Sequence, residues 1–187
     1  ELFKTESPEV ATGTVEIKSI SREAGARTKI AVMSNDPDVD PIGACVGQRG
    51  SRINAVTSNL GNEKIDIILW SEDPLLYVAN SLAPAQVIDI EGDLEKREAK
   101  VLVADDQLSL AIGKSGQNAR LANRLTGWKI DISGTQSAIE EGTLEEESSE
   151  KSEADDFAPL ADLKAAITKA QGDDEPKEEE ETENKEL

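Results

Sequence analysis

Ile42-Gly43-Ala44-Cys45-Val46-Gly47-Gln48-Arg49-Gly50 is answered later in the chain by Leu108-Ser109-Leu110-Ala111-Ile112-Gly113-Lys114-Ser115-Gly116. The two Gly-x-x-Gly sequences are 66 residues apart. The match extends outward in both directions. Lys29-Ile30-Ala31-Val32 pairs with Lys100-Val101-Leu102-Val103, and Lys64-Ile65-Asp66-Ile67 recurs unchanged as Lys129-Ile130-Asp131-Ile132. The chain is therefore read as two copies of one module, residues 1–70 and 71–133, with extra residues before the first turn at 35–41. A module this small is marginally stable alone. The joint at Ser71-Glu72 is too short for independent motion, so the copies are expected to pack as one unit.

Period and punctuation give the elements. Val15, Ile17 and the Thr28–Met33 run read as strands joined through Gly25. Asp40-Pro41 supplies an N-cap and a proline at the first helical position, opening a helix that ends at Gly47. A second helix starts after Gly50, carries Ile53, Val56 and Leu60 on one stripe, and is capped by Gly61. Ile65, Ile67 and Leu69 alternate as a closing strand. The second copy repeats the scheme: a helix from Asp73-Pro74 to Pro84, strands at 86–90 and 99–104, a helix from Asp105 to Gly113, a helix over 117–126, and a last strand through Ile130 and Ile132. The order helix-strand-strand-helix-GxxG-helix-strand makes each module an α+β layer.

Two glycines separated by two residues let the backbone turn sharply and let a ligand chain approach without meeting a Cβ. The turn precedes a helix N-terminus, where exposed N–H groups and the positive end of the dipole favour an anion such as a phosphodiester. A GxxG loop between two short helices is the device by which a KH module clamps the backbone of about four nucleotides. The neighbouring residues suit that task. Gln48, Arg49, Ser51 and Arg52 surround the first turn; Lys114, Ser115, Gln117, Asn118 and Arg120 surround the second, with no acid among them. Together with Gly47, Gly50, Gly113 and Gly116 they form the candidate RNA-binding set. Ile42, Val46, Ile53, Leu108, Ile112 and Ala119 are read as core residues with a lesser chance of touching bases. The body has few aromatics, which disfavours a base-stacking platform, and Trp128 is read as packing.

Composition narrows the chemistry. The 187 residues contain 20 Lys and Arg against 39 Asp and Glu, no His, one Cys, and a formal net charge of −19. Without His there is no Ser-His-Asp or Cys-His nucleophilic site and no imidazole metal ligand. One Cys cannot form an intramolecular disulfide, which fits a reducing compartment. No apolar run approaches the ~20 residues of a membrane helix, and no signal peptide is visible. The absence of an initiating Met reads as a fragment of something longer. Residues 134–187 hold 19 of the acids and only five bases, and read as a mostly disordered acidic tail. Phe157, Leu160, Leu163 and Ile167 recur at helical spacing within it, which suits either a transient helix near 157–171 or a docking element for a protein partner.

Other motifs dissolve on inspection. Gly113-Lys114-Ser115 suggests a phosphate loop, but the glycine required five residues earlier is Leu108. Asp36, Asp38 and Asp40 suggest a calcium loop, but Pro41 and Gly47 stand where Gly and Glu are needed. Cys45 lies in an apolar helix as an inert core thiol. Asp105-Asp106 is explained as a helix N-terminal turn. The reading is therefore no enzyme, no cofactor and no metal.

The strings Ser7-Pro8-Glu9-Val10, Ser21-Arg22-Glu23-Ala24-Gly25, Asp40-Pro41-Ile42-Gly43-Ala44-Cys45-Val46-Gly47, Gln107-Leu108-Ser109-Leu110-Ala111-Ile112-Gly113-Lys114 and Leu125-Thr126-Gly127-Trp128 resemble the bacterial NusA family of transcription factors over essentially all of 1–133. That resemblance implies two tandem type II KH modules presenting one surface to single-stranded, nascent RNA. It also implies a cytoplasmic, monomeric factor that acts with RNA polymerase and other elongation factors in pausing, termination and antitermination. The family's polymerase-binding N-terminal domain and oligonucleotide-binding barrel are not seen in this sequence, and are expected to precede Glu1 in the parent protein. The rival reading is a protein-docking scaffold that uses KH folds without binding RNA.

Overall fold

A computed structural model describes residues 1–140 of the chain. The expected acidic tail and its helix near 157–171 lie almost wholly outside these residues. Two short helices, α1 (Leu2–Glu6) and α2 (Pro8–Thr12), meet at Ser7-Pro8. Proline cannot continue the ladder of α1, so it starts a new helix. The strands β1 (Val15–Glu23) and β2 (Arg27–Ser34) form an antiparallel hairpin. Helices α3 (Pro41–Val46) and α4 (Ser51–Asn59) flank the first glycine turn, and β3 (Lys64–Leu69) returns parallel to β2.

The second module follows the same course. It comprises α5 (Pro74–Ser81), β4 (Val87–Asp93), β5 (Glu98–Val103), α6 (Asp105–Ile112), α7 (Gln117–Thr126) and β6 (Lys129–Gly134). Each module has a three-stranded sheet with its antiparallel hairpin at one side and a parallel closing strand at the other, in the orders β1-β2-β3 and β4-β5-β6. Both hairpins carry a register shift near the start of the first strand, between Ile17 and Ser19 and between Val87 and Asp89. No helix among the described residues is long and apolar enough to cross a membrane.

Boundaries move for local reasons. The strands expected at 86–90 and 99–104 run longer toward each other, because Asp93 Oδ1 accepts from the Glu95 and Lys96 amides, both at 3.0 Å, and tightens the hairpin. Helix α4 ends at Asn59 with Leu60 as its cap; Gly61 and Asn62 follow in the left-handed region. The second module does not stop at 133. β6 continues to Gly134 and a short helix, α8 (Thr135–Glu140), follows where the acidic tail was expected to begin. Asp105 anchors it, accepting from Thr135 Oγ1 at 2.6 Å and the Gln136 amide at 3.2 Å. Asp36-to-Asp40 is a turn and cap, as expected: Asp40 accepts from the Ile42 and Gly43 amides.

The first core gathers Phe3, Val10, Val15, Ile30, Val32, Cys45 and Val56 between the helices and one face of the first sheet. The second gathers Val78, Leu82, Val101, Val103, Ala122 and Trp128. A third cluster, Ala31, Ile68, Tyr77 and Leu125, joins the modules. Here α5 and α7 cover the outward face of the first sheet. Burying Ile68 and Leu125 contributes about 1.5–3 kcal/mol each. Polar ties reinforce the junction: Ser19 Oγ donates to the Leu125 carbonyl at 3.0 Å, and Lys29 Nζ donates to the Ala83 carbonyl at 2.6 Å. The two copies thus form one packed unit.

Candidate nucleic-acid interface

The two glycine turns are near-identical in backbone. Gly47 has φ 73° and ψ 172°, Arg49 φ 52° and ψ 29°, and Gly50 φ 77° and ψ 14°. The second turn gives φ 76° and ψ 169° at Gly113, φ 53° and ψ 31° at Ser115, and φ 73° and ψ 15° at Gly116. Each is one tight turn of 3-10 helix with a non-glycine residue in the left-handed region, a conformation that costs about 1–2 kcal/mol. That the same strain appears twice, at the exposed tip, marks both as candidate ligand clamps.

The four glycines serve two purposes. A Cβ on Gly113 would lie 2.7 Å from Asn118 Cβ and 2.8 Å from the Asn118 backbone nitrogen, and one on Gly47 would lie 2.6 Å from Arg52 Cγ. These leading glycines let the following helix close against the preceding one. A Cβ on Gly116 meets nothing within 4 Å. The trailing glycines supply the left-handed bend; Gly116 leaves the outer side of its turn open, whereas a Cβ on Gly50 would lie 3.4 Å from Asn54 Nδ2.

Backbone amides divide likewise. The Gly50 N–H donates to the Gly47 carbonyl at 3.1 Å and the Gly116 N–H to the Gly113 carbonyl at 3.0 Å. Ser51 and Gln117 donate to Gln48 and Lys114. The amides of Gln48 and Arg49, and of Lys114 and Ser115, lie between the two glycines of each turn. The side chains of these four residues are exposed. Neither Arg49 nor Lys114 has a carboxylate partner there, whereas Arg52 is paired with Glu9, and Arg120 and Arg124 with Glu23.

Not every candidate points outward. Asn118 is fully buried; its Nδ2 donates to the carbonyls of Ala111 at 2.9 Å and Leu82 at 3.0 Å. It staples α6 to α7 and, contrary to the expectation from sequence, turns no polar atom toward a ligand. Arg52, at the matching position, donates from Nη1 to the Ala44 carbonyl at 2.6 Å and to Glu9 Oε2 at 2.9 Å. It does the same structural work with part of its guanidinium still at the surface. Gln117 and Arg120 are also engaged: Nε2 and Nε donate to Glu23 at 2.8 Å each. These donors hold the Glu23 carboxyl down at about 2, well below the usual range, with Arg120 contributing most. The turns therefore present Gln48, Arg49, Ser51, Lys114 and Ser115 freely.

Nothing local in the sequence marks Glu23, which is 94 residues from Gln117. Among the apolar candidates, Ile112 is 38 % exposed beside the second turn, while Ile42, Val46, Ile53, Leu108 and Ala119 are half-buried. Leu110, 42 % exposed on α6, was not singled out. A groove of about 570 Å³ opens beside the first turn, with Glu9, Asp38, Asp40, Gln48, Ser51 and Arg52 among the residues that line it. Its three carboxylates make the groove a poor seat for phosphate. Among the described residues no cluster of three His, Cys, Asp or Glu could hold a metal. Cys45 is fully buried, and burial pushes its thiol up to about 11.

Comparison with known proteins places these features in context. Residues 1–70 match the NusA-like first KH domain and residues 74–140 the NusA-like second KH domain. A Halalkalibacterium halodurans protein named transcription termination/antitermination protein NusA is 56 % identical over 146 residues, covering 78 % of this chain and 38 % of that protein. The Bacillus subtilis protein of the same name is 54 % identical over 152 residues, covering 81 % and 41 %. That of Thermus thermophilus is 52 % identical over 165 residues, covering 85 % and 43 %. The chain spans about two fifths of the length of these relatives. Among solved structures, the crystal structure of APE1850 superposes with a TM-score of 0.52 at 24 % identity, covering 71 % of this chain and 93 % of that one, a likeness of fold.

Proposed function

The chain belongs to the NusA-like KH-domain family, and from that premise we propose that its two modules bind single-stranded RNA along one surface, holding the sugar-phosphate strand at both glycine turns. The observation that carries this reading is the duplicated turn: matched dihedrals in both copies, and in each an exposed cation, Arg49 or Lys114, with no carboxylate partner among the described residues. Gln48, Arg49 and Ser51 serve the first turn, and Lys114 and Ser115 the second, between the glycine pairs 47/50 and 113/116. Phosphate oxygens accept from amides of the turns, and the cations supply charge-assisted bonds. The acidic surroundings confine attraction to these points, because exposed charges are screened within about 8 Å at physiological salt.

In the parent protein this surface serves a bacterial cytoplasmic transcription factor that holds nascent RNA while it acts with RNA polymerase in pausing, termination and antitermination. The names of the relatives support that role. It is a binding role without catalysis. A salt titration of affinity for a single-stranded RNA tests the reading and separates it from a protein-docking scaffold. Binding led by phosphates weakens linearly in log[salt], by about 0.7 slope units per phosphate neutralised. A chain with no measurable RNA affinity at low salt contradicts it.

A further inference from the structure

The second turn is tied to the first module by a chain of contacts that has no counterpart at the first turn among the described residues. Glu23, the last residue of β1, accepts from Gln117 Nε2, Arg120 Nε and Arg124 Nη2 at 2.8, 2.8 and 3.1 Å. Arg120 also reaches the other way. Its Nη1 donates at 3.2 Å to the carbonyl of Ser115, the left-handed residue at the tip of the second turn. Its Nη2 stands 3.5 Å from Glu23 Oε2, so all three guanidinium nitrogens are occupied. The residue 66 positions earlier, Asn54, is an exposed amide that makes no side-chain hydrogen bond to the second module among the described residues.

We propose that Arg120 is a positioning residue and not a phosphate ligand: with Glu23 it locks the second turn at a fixed offset from the first, so that one RNA strand engages both. The proposal rests on the reading of the turns as RNA clamps. A phosphate at Arg120 would have to displace the Glu23 carboxylate or the Ser115 carbonyl, while Lys114 stands exposed and unpaired among the described residues. Two weak clamps on one body gain affinity only when their separation suits the strand, since the second contact is then intramolecular. The apolar contact at Leu125 holds the C-terminal end of α7, and Glu23 holds the end that carries the turn. Loss of either Glu23 or Arg120 loosens the same joint.

The test compares Glu23→Gln, Arg120→Gln and the double variant in the full chain. The probes are random-sequence, single-stranded RNAs of about four nucleotides, enough for one turn, and about twelve, enough to span. Each single variant should weaken binding of the longer RNA about tenfold, a fraction of the gain available from linking two sites. The double variant should be no worse than either single, and the short RNA should be unaffected. Tighter binding by Glu23→Gln, unchanged binding, or multiplied losses in the double variant would overturn the proposal. Arg120→Lys keeps the charge but cannot bridge Glu23 and Ser115. It should weaken the longer RNA as Arg120→Gln does, and full retention of affinity overturns the proposal even where Glu23→Gln fails to fold. A wild-type chain that binds neither RNA removes the clamp reading itself, and this inference with it.

Discussion

Asn118 Nδ2 lies 2.9 Å from the carbonyl oxygen of Ala111, across the glycine turn that separates α6 from α7. The amide therefore closes the two helices on each other, and the absence of a side chain at Gly113 lets it do so. A substitution at Asn118 leaves the buried carbonyls of Ala111 and Leu82 without this donor. Asn118→Ala should lower unfolding free energy by about 1–3 kcal/mol in urea. By contrast, Arg49→Gln and Lys114→Gln should leave stability within about 0.5 kcal/mol while weakening RNA binding.

The glycines of the second turn should separate by the same logic. Gly116→Ala places a Cβ in open space and costs about 1 kcal/mol for its left-handed φ. Gly113→Ala carries that cost and also drives a Cβ against the Asn118 backbone. Its loss of stability should exceed that of Gly116→Ala by at least about 1–2 kcal/mol, measured by chemical denaturation of the two variants side by side.

Acid should unfold the first module through Glu63. Its buried carboxylate accepts from Arg22 Nε at 2.9 Å, from the Gly25 amide at 2.8 Å and from Thr28 Oγ1. Arg22 first, with Thr28 and Gly25 after it, holds the carboxyl down at about 2 from an ordinary 4.5. The lowered value means stability that is fully present above pH 4.5 and lost as pH falls from there toward 2. Glu63→Gln should lower stability at neutral pH by about 2–3 kcal/mol. It should also flatten the acid limb of the stability profile; an acid limb unchanged in the variant contradicts the assignment.

Lys29 should act in the opposite pH range. Its buried ammonium lies 3.3 Å from Asp66 Oδ2, with Arg27 and Lys64 also close in charge, and burial lowers its value to about 8 from 10.5. The unfolded chain holds that proton up to 10.5, so the penalty for burying the charge is full below pH 8 and is relieved between 8 and 10.5. The stability of the wild type relative to Lys29→Met should therefore rise across that interval, as read by urea unfolding at several pH values.

The fold was legible because the chain states it twice. The repeated Lys-Ile-Asp-Ile strand, Asp40-Pro41, Asp73-Pro74 and the two GxxG sequences place helices, strands and turns within a few residues of where they stand. Which turn residues face solvent was not legible. Asn118 and Arg52 are polar and sit beside the turn, yet a helix that starts at the turn aims its second residue back at the preceding helix. Glu23, Ser19 and Lys29 belong to pairings between modules, and no local pattern announces which strand face a distant helix will cover. The short helix α8 has no local signal, because its cap is supplied by Asp105, distant in sequence.

The central claim is that both turns hold the RNA backbone, and the most direct measurement is amide NMR of the chain titrated with a single-stranded oligoribonucleotide. The account predicts concerted shifts of the Gln48, Arg49, Lys114 and Ser115 amides, which are lost at each turn when Gln48-Arg49 or Lys114-Ser115 is replaced by Asp-Asp. Signals at both turns that stay in place while RNA is added would contradict it.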